Sequence, residues 1–425
     1  MSMGAQMRIM RKLVAVGVGL LVAGNVCADD VNERIATLEA RLAEMEQRLE
    51  QRTAEMEQRL AQSAREEAAP FGGAGDVSNR LVVIETHLAE IEARPLKDQL
   101  DGVELGGYGE LHYNALSGKG GAPGKREIDF HRFVLYIGKT FSDRLRFASE
   151  LELEHVMAGA GEKGYMALEQ AYLDYDLTER HTARAGLFLV PAGLINPTHE
   201  PSRFYGVERN PVERDVIPTT WFEAGAGAHG LLTENLRYEA YLHSGLKAEA
   251  GKNYSVRSGR QRVASANASD PAATLALNWS IPGLTLGGAL HHQTDITQGL
   301  DPAAGSAWMA EAHADWRHGP FGLRALYAEW SLDGDGPASV GADRQYGWYV
   351  EPSYRISSQL GIFARYNAWD NQAGQRASAS RKSQVDFGVN WWPHEQVVVK
   401  ADYQWQDHEN ARNQSGINLG VGYEF

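Results

Sequence analysis

Two arginine-rich stretches hold the residues best suited to chemistry in this chain. Residues 191–218 carry Arg203, Arg209 and Arg214 interspersed with Glu208, Glu213 and Asp215, and five prolines. Proline fixes φ, so this stretch is stiff. Phe204, Tyr205, Val207, Val212 and Ile217 give it apolar anchors. Residues 246–272 carry Lys247, Lys252, Arg257, Arg260 and Arg262 beside Glu249. Guanidinium forks pair with carboxylate and phosphate oxygens, and a basic cluster raises the local concentration of anions. The chemistry on offer is therefore ion binding and ion sorting.

Signatures of catalysis and metal binding are weak by comparison. His199-Glu200 lacks the second histidine of a zinc-protease helix. His291-His292 is an adjacent pair within an extended segment, where neighbouring side chains point to opposite faces, so the two cannot share a metal. Both are expected to be solvent-exposed. Residues 118–126 resemble a phosphate loop but put Lys119 where the first glycine belongs, and a flexible loop is the expectation there. No catalytic residue, cofactor or metal is expected.

The elements that would position these residues are of two kinds. Residues 1–28 read as a secretory signal: Arg8, Arg11 and Lys12, a short apolar run over 13–22, and a small-residue cleavage site at Val26-Cys27-Ala28. Cleavage removes Cys27, the single cysteine, so no disulfide is expected in the mature chain. It also makes the chain more acidic than its formal charge of -14, which argues against nucleic-acid binding. Residues 29–60 contain a heptad pattern, with Ile35, Leu42, Leu49 and Met56 on one seam position and Leu38 and Met45 on the other. A glycine- and proline-bearing linker follows at 61–76. A second short heptad helix spans 77–94 through Val77, Leu81, Ile84, Leu88 and Ile91. So narrow a stripe suits self-association as a coiled coil.

From residue 103 the period changes to two. In one segment Leu145, Phe147, Leu151 and Leu153 share a face, and Arg144, Arg146, Glu150, Glu152 and Glu154 share the other. A strand with lipid on one side and a watery lumen on the other needs this pattern. Sixteen such segments are predicted: 103–114, 128–140, 143–155, 165–177, 181–190, 219–230, 234–245, 273–281, 283–293, 306–318, 320–331, 345–356, 359–370, 383–393, 396–407 and 415–425. The connections alternate short and long, as an even-stranded transmembrane barrel requires. Residues 115–127 are predicted as the first long loop, 191–218 as the third and 246–272 as the fourth. Trp221, Trp308, Trp316, Trp330, Trp348, Trp391 and Trp392 lie mostly near strand ends and are expected at the lipid headgroups. The fold class is thus all-β: a sixteen-stranded antiparallel transmembrane β-barrel over 103–425, preceded by an α-helical coiled coil. The coiled coil is expected in the periplasm and the barrel in a bacterial outer membrane.

Within that barrel, loop 191–218 is expected to narrow the lumen, giving a constriction of mixed charge. Glu150, Glu152 and Glu154 form an acidic lumen face. The basic loop 246–272 has two readings, a ring above the pore or an exposed surface meeting lipopolysaccharide phosphates.

The stretches Asp129-Phe130-His131-Arg132-Phe133, Ser149-Glu150-Leu151-Glu152-Leu153-Glu154, Ala185-Gly186-Leu187-Phe188-Leu189-Val190-Pro191, Gly206-Val207-Glu208-Arg209-Asn210 and Ile217-Pro218-Thr219-Thr220-Trp221 resemble the phosphate-selective porin O and P family. The terminal Phe425 resembles the signal by which outer-membrane barrels are recognised for insertion. The resemblance implies sixteen-stranded homotrimers that pass anions, some selective for phosphate or pyrophosphate. The expectation is passive diffusion of small polar or anionic solutes through a water-filled channel with a weak anion preference. Two other readings are an outer-membrane barrel enzyme of protease or lipase type and a tether between outer membrane and cell wall.

Overall fold

The computed structural model describes residues 102–159, 161–374 and 379–425. The leader at 1–28, the heptad segments 29–60 and 77–94 and the linker 61–76 lie outside the described residues.

Sixteen strands follow one another in chain order. They are β1 (Val103–Lys119), β2 (Lys125–Ser142), β3 (Leu145–Glu154), β4 (Met166–Asp176), β5 (His181–Leu189), β6 (Phe222–Leu231), β7 (Leu236–His243) and β8 (Ala272–Ile281). After them come β9 (Leu284–Gln293), β10 (Ala307–His318), β11 (Phe321–Leu332), β12 (Arg344–Arg355), β13 (Leu360–Asp370), β14 (Lys382–His394), β15 (Val397–His408) and β16 (Asn413–Glu424). Each pairs antiparallel with its neighbours in sequence, and β1 pairs with β16, closing the barrel. Closure removes every sheet edge, which is what a membrane demands of a β-structure.

Alternation along each strand sets the two faces. On β13, Ile362 and Tyr366 are 44% and 43% exposed and face outward, whereas Phe363, Arg365 and Asn367 are buried toward the lumen. The closing seam uses the terminal residue. Gly107 and Phe425 exchange both backbone hydrogen bonds at 3.0 Å, and the Phe425 ring stacks on Phe133 with centroids 5.7 Å apart. A Cβ at Gly107 would lie 2.2 Å from the Val134 carbonyl oxygen and 2.8 Å from the Phe425 ring, so the seam needs glycine there.

Three expectations are corrected. Residues 115–127 are not a long loop, because β1 runs to Lys119 and β2 begins at Lys125. The hairpin turns at Gly120 and Gly121, whose φ angles of +60° and +81° suit glycine. Beyond the lipid a strand needs no apolar face, so polarity alone did not mark the loop. Nor do all the tryptophans sit at headgroups. Trp308, Trp316, Trp348 and Trp391 face outward, but Trp221 and Trp330 are fully buried inside the barrel and Trp392 is largely buried.

The inward tryptophans belong to a packed apolar core that occupies part of the lumen. It joins Val190, Val212, Val216 and Ile217 to Leu246, Tyr254 and Val256, and to Met309, Trp330 and Tyr349 on the wall. The two long connections, 190–221 (loop 3) and 244–271 (loop 4), therefore fold inward. His291, expected exposed, is buried in this region against Trp221 and Trp330. Its Nδ1 and the Nε2 of His243 both lie within hydrogen-bond reach of Thr274 Oγ1. His292 faces the other way and lies 4.2 Å from the Trp308 ring centroid.

Candidate functional site: a charged constriction

Loop 3 crosses the lumen and is held at several places. Its backbone at 204–207 is stitched to the wall by inward-facing polar side chains. Asn390 donates to the Phe204 carbonyl at 3.1 Å, Arg365 to that of Tyr205 at 3.2 Å and Lys400 to that of Gly206 at 2.8 Å. Asp402 accepts from Val207 N at 2.6 Å. A short helix, α1 (Pro211–Asp215), follows. Asn210 caps it by accepting from Glu213 N at 2.9 Å, and Pro211 opens its first turn. The apolar face of α1 presses Val212 and Val216 into the core, and Trp330 Nε1 donates to the Val216 carbonyl at 3.0 Å.

Loop 4 clasps loop 3 from above. Arg257 donates to the carbonyls of Arg214 and Thr219, and Arg260 donates to that of Thr220 at 2.8 Å. Arg209 donates to Thr220 Oγ1 at 2.9 Å, while its Nε and NH2 groups have no hydrogen-bond partner. Arg214 grips Asp215 with two bonds of 3.0 Å.

A cavity of about 270 Å³ opens on the loop side of this arrangement. Arg209 and Arg214 reach it from loop 3, and Arg257, Arg260 and Arg262 from loop 4; Arg132 completes the basic set from β2. Glu110, Glu154, Glu169, Glu208, His112 and His131 also border it. Two of the four acids, Glu110 and Glu208, are engaged. Glu208 lies 3.3 Å from His112 Nδ1 and accepts from Asn114 at 3.0 Å. Arg132 lies 3.1 Å from Glu110 and 3.3 Å from Glu152. Burial, together with Arg257 and Arg262 nearby, pushes the Arg260 guanidinium down to about 10. Burial likewise lowers Arg257, with Arg214 and Arg209 adding to it against the pull of Asp215. The arginines repel one another across a confined space.

The other candidate residues lie elsewhere. Arg203 lines a second cavity of about 800 Å³ on the short-turn side, with Arg324 and Arg355, so residues 198–205 and 207–214 face opposite sides of the constriction. Glu213 turns away from the pore. Its carboxylate accepts from Leu194 N and Ile195 N at 2.8 and 2.5 Å and from the Tyr349 hydroxyl at 2.7 Å, and so fixes the loop's own fold. Lys247 and Lys252 flank Glu249 at 3.9 and 3.1 Å, outside the cavity. Glu150 and Glu152 are buried against the wall, and Glu154 alone of the three borders the cavity. The sequence reading missed Glu110, His112, Arg132, Tyr165 and Glu169. Glu110, His112 and Asn114 alternate along β1, and that period-two spacing of polar residues was the available signal.

A closed barrel of sixteen antiparallel strands, lumen narrowed by an inward third loop, defines the porin class of outer-membrane channel. The family model for phosphate-selective porin O and P matches residues 103–423, and the chain belongs to that family. Family and fold place the barrel in the outer membrane. An uncharacterized protein of Aquifex aeolicus (strain VF5) is 29% identical over 353 residues, covering 76% of this chain and 80% of that one. Among solved structures, the fold is similar to the anion-selective porin from Comamonas acidovorans (12% identity, 76% of this chain and 99% of that chain, TM-score 0.54). It is also similar to the channel DcaP of Acinetobacter baumannii (13% identity, 76% and 97%, TM-score 0.53).

Proposed function

We propose that this porin is a passive channel with a weak preference for small anions, set where loops 3 and 4 meet. The observation that carries this is the convergence of Arg209, Arg214, Arg257, Arg260 and Arg262 on one cavity. Arg262 is exposed to a passing carboxylate or phosphate oxygen, and Arg209 carries unpaired, buried N–H groups in the cavity wall that add positive charge there. The preference is weak because glutamates share the lining, and a site that held its ion tightly would block flow. The test is the double variant Arg209→Ala/Arg262→Ala, which removes charge without touching the arginines that hold loop 3 by its carbonyls. Its reversal potential in a potassium chloride gradient should shift toward cations, and an unchanged potential removes these arginines from selectivity.

The assembly we propose is a homotrimer in the outer membrane, joined on the periplasmic side by heptads at 29–60 and 77–94. The support is the family resemblance and the two-position apolar seams. Lys247 and Lys252, outside the cavity, suit contact with lipopolysaccharide phosphates. Mass measurement of the detergent-solubilised protein should give three chains, and a monomer would contradict it.

A further inference from the structure

Three segments remote in sequence bring Glu150 of β3, Glu169 of β4 and His199 of loop 3 together. All three are at most 2% exposed, and their ligand atoms lie within 4.8 Å of one another. His199 Nε2 is 3.2 Å from Glu150 Oε1 and 3.6 Å from Glu169 Oε2. His199 Nδ1 is 3.1 Å from the Asn196 carbonyl oxygen. A carbonyl can only accept, so Nδ1 carries the proton, and in the neutral ring the Nε2 lone pair points at two carboxylates. Glu169 Oε2 has no hydrogen-bond donor, and neither oxygen of the neighbouring Glu152 has one. Arg132, the guanidinium nearest Glu152, is shared with Glu110. Buried acceptors converging without a donor are costly unless a positive charge lies among them.

We propose that Glu150, Glu169 and His199 bind one divalent cation of the zinc type, which pins loop 3 to the barrel wall. One nitrogen and two carboxylates suit such an ion. A tetrahedral ion with bonds of ~2.1 Å sets its ligand atoms about 3.4 Å apart, and the two measured separations straddle that value. The outer contacts match a built site. The Asn196 carbonyl fixes the imidazole tautomer, and Gln170 Nε2 donates to Glu150 Oε2 at 2.6 Å, orienting that carboxylate. Glu169 borders the loop-side cavity, which places the site beside a route from the lumen. Spacing in sequence could not show this site, because its ligands come from two strands and a loop.

A second group, Asp129, His131 and His155, differs in kind. Nδ1 of His131 and of His155 each lies within hydrogen-bond reach of the Asp129 carboxylate, at 3.1 and 2.8 Å, and neither ring is left pointing a lone pair at an acid. It supplies the control. The folded protein, purified in detergent, is stripped with a chelator, dialysed against zinc, and its metal content and zinc affinity are measured. We expect one zinc per chain in the wild type and in Asp129→Asn. In His199→Ala and in Glu169→Gln, affinity should fall by at least ~10-fold, the scale on which even an outer partner of a metal site acts. Heat-modifiable migration shows whether each variant is folded. Should both fail to fold, cobalt loaded into the wild type and Asp129→Asn must show the absorption of a low-symmetry nitrogen–oxygen site. A wild type that holds no zinc, or variants that hold it equally well, would overturn the proposal and leave His199 as a hydrogen-bonding partner of the wall carboxylates.

Discussion

Lys400 Nζ lies 2.8 Å from the Gly206 carbonyl oxygen, so a lysine on β15 holds the backbone of the loop that crosses the pore. Two residues on, Asp402 accepts from the next amide, Val207 N. Wall and loop are thus matched through the main chain over 206–207.

Replacing Lys400 by methionine should loosen this attachment without opening the barrel. A hydrogen bond of this kind contributes about 0.5–1.5 kcal/mol. Single-channel records of Lys400→Met should show noisier open-state current and a higher mean conductance, with heat-modifiable migration unchanged. A trace identical to wild type would mean that the remaining contacts hold the loop alone.

Trp330→Ala should act on the other end of loop 3. It removes a fully buried ring and the donor to the Val216 carbonyl. Large aromatic-to-alanine changes in packed cores cost about 3–5 kcal/mol, and here the loss falls on docking of loops 3 and 4, because the strand ladder of β11 is untouched. The expected result is a larger conductance and weaker selectivity together. Reduced conductance would contradict the placement of this core.

The seam gives a prediction about assembly. Gly107→Val places side-chain atoms where the Val134 carbonyl and the Phe425 ring already stand, and deleting Phe425 removes both hydrogen bonds to Gly107. Both changes should lower the yield of folded barrel, judged by the heat-modifiable band. The valine variant should do so even though the terminal aromatic is kept. Normal yield from Gly107→Val would show that the seam tolerates side chains at this point.

The barrel was legible in the sequence because lipid imposes an alternation that nothing else requires. The misplaced loop, 115–127, lies where Ser117 and Lys119 continue β1 without an apolar face to signal it. The charged loops were legible as charged, but not the side to which each residue turns. Arg203 and Arg209 are six residues apart and line different cavities because the chain between them is tied to the wall at 204–207. Glu213 reads as one more lining carboxylate until its four hydrogen-bond partners are placed. The apolar core was missed for a similar reason. Trp221 and Trp330 follow the pattern of interfacial residues, and only the inward fold of loops 3 and 4 provides something for them to pack against.

The most direct test of the account is the sign of the reversal potential of the wild-type protein in a planar bilayer under a potassium chloride gradient. Six arginines line one cavity against four glutamates, two of which are engaged by His112, Asn114 and Arg132, so the potential should report chloride as the more permeant ion, and the preference should shrink as salt screens the charges. A potential of the opposite sign, or one at zero across all gradients, would contradict the proposal that the meeting of loops 3 and 4 sorts ions by charge.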